Sequence, residues 1–227
     1  MSDVWSERAE AYRTSVVHAT GDDLDLVVDW CEPAEGVTVL DVATGGGHVA
    51  RRLRERGATV VTVDPAPGMQ ADTTAPAEEL PFADASFDLG WTQNVAMNIA
   101  DRPRWYAELR RVLKRGGRLA IQDVAQGPGG PLHFPVNWAD SPEISFLRTP
   151  EETRVLLEAA GFEVLVWEDN SDIAIAEAES ERAGGWQPLG IHLVVGESFR
   201  EKMQSSRRNM LENRTRLINA VLRSRLG

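Results

Sequence analysis

Two acids and three glycines carry the first chemical signal in this sequence. Asp41 follows an apolar, β-branched run, Val37-Thr38-Val39-Leu40, of the kind that forms a buried parallel strand. Gly45, Gly46 and Gly47 then make a turn that lets a ligand approach the backbone closely. Residues 48–53 start a helix, and Gly57 stops it. Strand, glycine turn and helix in this order predict a nucleotide-type site on a doubly wound α/β sheet. Gly45-x-Gly47-x-x-Ala50 also fits the dinucleotide fingerprint, so the glycines alone do not choose the ligand. Charge chooses it. A dinucleotide sets pyrophosphate against the helix N-terminus, and a carboxylate aimed into that turn repels it. S-adenosylmethionine (SAM) has no phosphate and carries an ammonium and a sulfonium, so Asp41 favours SAM. The plainer alternative is a tight turn in which Asp41 caps backbone amides. Asp64 ends a second apolar run, 58–63, where an acid can accept both ribose hydroxyls of an adenosine ligand. A turn-forming Asp before Pro65 is the competing reading.

Four stretches, in order, carry a family resemblance: LDVATGGG (40–47), VTVDPAPGM (61–69), AEELPFADASFD (77–88) and ELRRVLKRGGRLAIQDV (108–124). They resemble the class I SAM-dependent methyltransferases, in the small-molecule branch that includes ubiquinone/menaquinone and sarcosine/dimethylglycine methyltransferases. The resemblance implies a Rossmann-like, mostly parallel sheet whose last strand is antiparallel. It implies cofactor contacts at Asp41, Ala43, Gly45, Gly47, Asp64, Pro65 and Met69, and at Ala77 and Glu78 in the loop that lines the adenine. A tyrosine of the leading helix can cover the methionine end of SAM, which makes Tyr12 a candidate. Gln93 and Asn94 follow the fourth strand, at the carboxyl end where such sheets bind ligands. Gln93 is assigned to the cofactor and Asn94 to the acceptor; Asn98 is either a pocket or a surface residue. The sequence departs from the family after Asp64. Residues 65–76 are too few for a helix, a strand and two loops. The helix there is expected to be missing or reduced to a turn, leaving a sheet edge short of cover. Pro76 stands where the family has its adenine-binding acid, and Asp72 is the candidate substitute. Weak SAM affinity is the expected consequence.

These residues need elements to position them. An amphipathic helix is expected over 3–18, with Val4, Trp5, Ala9, Tyr12 and Val16 at helical spacing, and a second from residue 22 with Val27, Val28 and Cys31 apolar. Further strands are expected at 87–91, 118–124, 162–167 and 190–195. Asp101 can cap a helix over 102–114 that Gly116-Gly117 ends, and Thr149-Pro150-Glu151-Glu152 is a capping box for a helix over 150–160 stopped by Gly161. Asp123, near the end of the fifth strand, faces either the pocket or a backbone cap. A long helix is expected over 197–224, with Arg207, Arg208, Arg214 and Arg216 on a solvated face. The whole, 1–227, is read as one domain.

Residues 126–149 break the alternation with glycines, prolines and the aromatics Phe134, Trp138 and Phe146. Long loops in compact domains are usually functional, and in the family an insertion after the fifth strand forms the substrate cap. Trp138 and Trp186 are the candidate acceptor-binding residues, able to hold an ammonium by cation–π attraction; they can equally be the cap's own core. Of the four histidines, His18 and His192 read as packing or surface and His48 starts the helix behind the glycine turn. His133 sits in the cap, and some small-molecule members of the family use a cap histidine as general base, so His133 is the catalytic candidate. A net charge of −11 disfavours nucleic acid and anionic membranes as partners. One cysteine excludes a disulfide framework and a Cys-based zinc site, and no metal is expected. With no signal-peptide or membrane-spanning pattern, the cytoplasm is the default setting. The expected function is methyl transfer from SAM to an N, O or C atom of a small molecule, by a monomer or homodimer. The alternatives are a non-methylating enzyme on the same fold, such as a cyclase or pericyclase, and a non-catalytic binding protein.

Overall fold

The computed structural model describes residues 6, 9, 10, 22–176 and 199–226. A seven-stranded sheet runs through it in the order β3-β2-β1-β4-β5-β7-β6. The strands are β1 (Thr38–Val42), β2 (Thr59–Asp64), β3 (Thr73–Thr74), β4 (Phe87–Gln93), β5 (Leu113–Gln126), β6 (Phe162–Asp169) and β7 (Thr215–Ser224). β1 to β5 pair in parallel, and β7 lies antiparallel between β5 and β6. The helices are α1 (Asp22–Cys31), α2 (His48–Glu55), α3 (Arg102–Val112), α4 (Pro150–Ala159) and α5 (Phe199–Leu211).

Both faces of the sheet are covered, which is why its central strands read as continuous apolar runs. On one face Leu40, Val42, Leu119, Ile121 and Leu222 pack against Trp105 and Leu109 of α3 and Leu157 of α4. On the other, Val39, Leu89, Trp91 and Val221 meet Val27, Val28 and Cys31 of α1 and Val49 and Leu53 of α2. Side chains this size each stabilise the fold by about 1.5–3 kcal/mol when fully buried. The Cys31 thiol is pushed up to about 12 by that burial, which leaves it an inert core group.

The helix signals hold where they are local. Gly57 has φ 91 and donates to Arg54 O at 2.9 Å, closing α2. Asp101 accepts from Arg104 N at 3.1 Å, and Thr149 and Glu152 form both halves of a capping box on α4. The Gly116-Gly117 stop does not hold. α3 ends at Val112 and the chain enters β5 at once, so both glycines lie inside the strand. They serve an irregularity in the β4–β5 register: Gly116 has φ 77, and a Cβ on Gly117 would sit 2.9 Å from Lys114 O.

The larger correction concerns 197–224. The expected single helix is α5 followed by β7, with a reversal at Asn213, φ 56. β7 has a neighbour on each side and is buried for most of its length. A fully buried strand shows no alternation, and Leu217, Ile218 and Val221 can then be taken for a helical stripe. Nor are its arginines simply solvated: Arg208 and Arg214 bind Glu212, and Arg216 binds Asp169. After β2 the expected helix is indeed reduced to a 3-10 turn, Pro67–Met69, and β3 is two residues long. The 190–195 strand and most of the 3–18 helix lie outside the described residues, with Tyr12, His18, Trp186 and His192 among them; Ser6, Ala9 and Glu10 are helical. Among the described residues no helix is long and apolar enough to cross a membrane.

Candidate functional site

A cavity of about 320 Å³ opens at the carboxyl ends of β1, β2 and β4. Asp41, Ala43 and Gly45 line it from the β1–α2 turn, and Asp64, Pro65 and Met69 line it from the end of β2. Ala77, Glu78, Gln93 and Asn94 complete the part of the wall that the sequence names. Gly47 is behind it rather than in it. It is the N-cap of α2, in the left-handed region at φ 72.

The acids are held by the turn they face. Asp41 is 2% exposed; its Oδ2 accepts from Thr44 Oγ1 at 2.5 Å, and the carboxylate also accepts from the Ala50 amide in the first turn of α2. Burial, opposed by those two hydrogen bonds, pushes its carboxyl up to about 6. The anion-binding end of α2 is thus already occupied by a protein carboxylate. Asp64 lies across the cavity mouth, its Oδ2 accepting from Gly45 N at 3.0 Å and its Oδ1 from Ala66 N at 2.9 Å. A carboxylate offers about four lone-pair sites, so each oxygen keeps one for a ligand hydroxyl. Burial raises its pKa, against the pull of the two amides. Three carboxylates, from Asp41, Asp64 and Glu78, with no Lys or Arg among the described lining residues, suit a ligand with a cationic group and a diol. They do not suit a diphosphate. The Asp41 carboxylate accepts a backbone amide, as the cap reading has it, and lines the cavity.

Several wall residues carried weaker sequence signals. Thr44, three residues past Asp41, orients that acid. His48 is 8% exposed and lines the cavity at the first turn of α2, its Nδ1 3.4 Å from Arg51 Nη1. Val95, Asn98 and Ile99 form the wall after β4, which places Asn98 in the pocket; Pro76 also lines it. Gln93 donates to Gln122 Oε1 at 2.7 Å, which fixes its amide. Asp72 does not line the cavity. It is exposed and accepts from Thr62 N and Oγ1, both at 2.9 Å, away from the cavity.

Of the cap candidates, His133 and Trp138 are not among the residues that line this cavity. His133 Nε2 is 2.8 Å from Glu212 Oε2, and its backbone pairs with the Asn209 amide in both directions, at 2.8 and 2.9 Å. These contacts dock residues 126–149 on α5. Arg208 first, then His133 and Arg214, hold the Glu212 carboxyl down at about 2. His133 thus joins the segment to residues 209–212. Trp138 is likewise engaged within the segment, donating from Nε1 to Ser145 Oγ at 2.9 Å. Trp186 and Tyr12 lie outside the described residues. Among the described residues no cluster of His, Cys, Asp or Glu has the makings of a metal site.

Comparison with known proteins agrees with this geometry. Residues 40–121, from β1 to β5, match the family described as methyltransferase domain. The uncharacterized methyltransferase sll0829 of Synechocystis is 33% identical over 153 residues, covering 57% of this chain and 68% of that protein. The chain belongs to the class I SAM-dependent methyltransferases. A second relative of this methyltransferase, the ubiquinone/menaquinone biosynthesis C-methyltransferase UbiE of Paracoccus denitrificans, is 38% identical over 120 residues, covering 45% of this chain. The chain spans about half that relative's length, 48%. Among solved structures, the [4+2]-cyclase SpnF superposes with a TM-score of 0.68 at 24% identity, covering 90% of this methyltransferase and 80% of SpnF, a likeness of fold.

Proposed function

We propose that this protein transfers a methyl group from SAM to an N, O or C atom of a small molecule. The observation that carries the proposal is the Asp41 carboxylate seated on the first turn of α2 inside the cavity. It fills the place a pyrophosphate would take and presents negative charge to an ammonium. Bound there, SAM supplies an activated sulfonium methyl for in-line displacement. The chain's own residues bind and align. Asp41 and Gly45 take the methionine end, Asp64 takes the ribose hydroxyls, and Pro65, Met69, Ala77 and Glu78 flank the adenine. Gln93 orients the cofactor and Asn94 faces the acceptor. Holding two reactants in line supplies much of the rate such a reaction needs. Residues 126–149 act as the substrate cap within a single domain. The acidic charge and single cysteine support a small-molecule partner and a cytoplasmic setting.

The test is calorimetric titration with SAM and with NADH, followed by labelled SAM offered with amines, phenols and sugars. Binding of NADH without SAM would overturn the assignment. The likeness to a [4+2]-cyclase supports one other reading, a cyclising enzyme that holds SAM without using it. Tight SAM binding with no labelled product across the screen would favour that reading.

A further inference from the structure

A buried carboxylate and a buried guanidinium, Asp123 and Arg102, flank the wall formed by residues 94–99. Asp123, 6% exposed near the carboxyl end of β5, accepts from Val95 N at 2.8 Å and from Ala96 N at 3.0 Å, both on Oδ1. Its Oδ2 is buried with no hydrogen-bond partner. The two amides open the 3-10 turn Ala96–Asn98, where the chain itself offers no acceptor. Arg102, 2% exposed, reaches three places: Nε to Ile99 O at 3.2 Å, Nη1 to Tyr106 Oη at 2.9 Å and Nη2 to Phe146 O at 3.2 Å. Phe146 N donates in turn to Met97 O at 2.9 Å. One wall of the cavity is thus gripped by Asp123 at Val95 and Ala96 and by Arg102 at Ile99, and Arg102 and Met97 also bind Phe146 of residues 126–149.

We propose that Asp123 and Arg102 are positioning residues that set the 94–99 wall of the cavity and couple it to residues 126–149. Calling that wall the acceptor side rests on the methyl-transfer reading; the grip itself does not. Removing the Asp123 carboxyl leaves two buried amides, Val95 N and Ala96 N, unmet. The groups that face Asp123 are Arg102 and Tyr106 of α3 and the two amides; across the sheet its register partner on β7 is Ile218, which does not titrate. Burial, opposed first by Arg102, pushes Asp123 up to about 7. An opening of the wall returns the carboxyl to water and to its ordinary range. The closed wall is therefore most stable at low pH, weakens as pH rises from about 4 to about 7, and changes no further above that.

Amide hydrogen exchange on the whole chain, corrected for intrinsic rates, tests this without any ligand. Asp123→Leu removes the acceptor; protection at Val95 and Ala96 should fall at least about tenfold, and Phe146 should fall with them, while β2 keeps its protection. Asp123→Asn keeps an acceptor and loses the titration. Wild-type protection at Val95 and Ala96 should decline between about pH 5 and pH 7, and the Asn variant should stay level. Unchanged protection in Asp123→Leu would overturn the proposal, as would a Phe146 that exchanges independently of Val95 and Ala96. If the Leu variant does not fold, identical pH profiles for wild type and Asp123→Asn overturn it instead. A wild type that fails to bind SAM would defeat the methyl-transfer reading and leave this test standing.

Discussion

Asp41 is buried for a purpose that protonation opposes. Its carboxyl titrates near 6 in the folded protein, above its ordinary range, because burial disfavours the charge. Without ligand, its contribution to stability is therefore greatest at low pH and is lost as pH rises from about 4 to about 6. A cationic ligand reverses the preference, since it needs the carboxylate. SAM affinity should rise about tenfold per pH unit below 6 and level off above it, and Asp41→Asn should bind weakly with no such slope; calorimetry from about pH 5 to pH 8 checks both. Asp64→Ala should weaken SAM binding by about 0.5–1.5 kcal/mol for each ribose hydrogen bond disturbed, and by more if the Gly45 and Ala66 amides it holds relax. Ala43 carries a different kind of strain. It sits at φ 57, left-handed backbone that costs an L-residue about 1–2 kcal/mol. Ala43→Gly removes that cost, less the extra entropy of glycine of about 0.5–1 kcal/mol, so urea unfolding should show a small gain in stability. Most of these residues were legible in the sequence. Asp41, the glycine turn and Asp64 are close in sequence, and their meeting at one cavity follows from a local strand-turn-helix. The surroundings of His133 were not legible for the opposite reason: its partners, Asn209 on α5 and Glu212 just past the end of α5, lie far along the chain.

The elements divide along the same line between local and distant causes. Gly57 announced the end of α2, Asp101 the start of α3, and Thr149 and Gly161 the two ends of α4, because each signal is a contact inside one turn. Thr149→Ala removes one such contact and should cost about 1 kcal/mol in thermal or urea unfolding. β7 gave no such notice. Its apolar run comes from having a strand on each side, a fact about tertiary placement that residue spacing does not record. Leu222, fully buried there, gives the measure: Leu222→Ala should cost about 2–5 kcal/mol, where an exposed helical leucine would cost a fraction of that. The reduction after β2 was legible from length alone. Its consequence belongs to the site: with a single turn and a two-residue strand on the adenine side, SAM should bind more weakly than about 10 μM. A titration giving tighter binding would overturn this expectation.

At the scale of the molecule, the sheet divides the labour. The β3-β2-β1-β4 half builds the cavity, and the β5-β7-β6 half carries Asp123 and anchors the segment after β5 on α5. The two halves meet at the β4–β5 seam, where Gln93 binds Gln122 and Asp123 binds the amides after β4. The position of β7 also has a meaning in time. Among the described strands β6 pairs only with β7, and β7 is also the partner of β5 on that side. On a ribosome, the first five strands can assemble as they emerge, but β6 must wait, with one edge of β5 bare, until residues 215–224 have cleared the exit tunnel. Nascent chains arrested before that point should be the species that chaperones hold and proteases cut, and release past β7 should end the exposure in a single step.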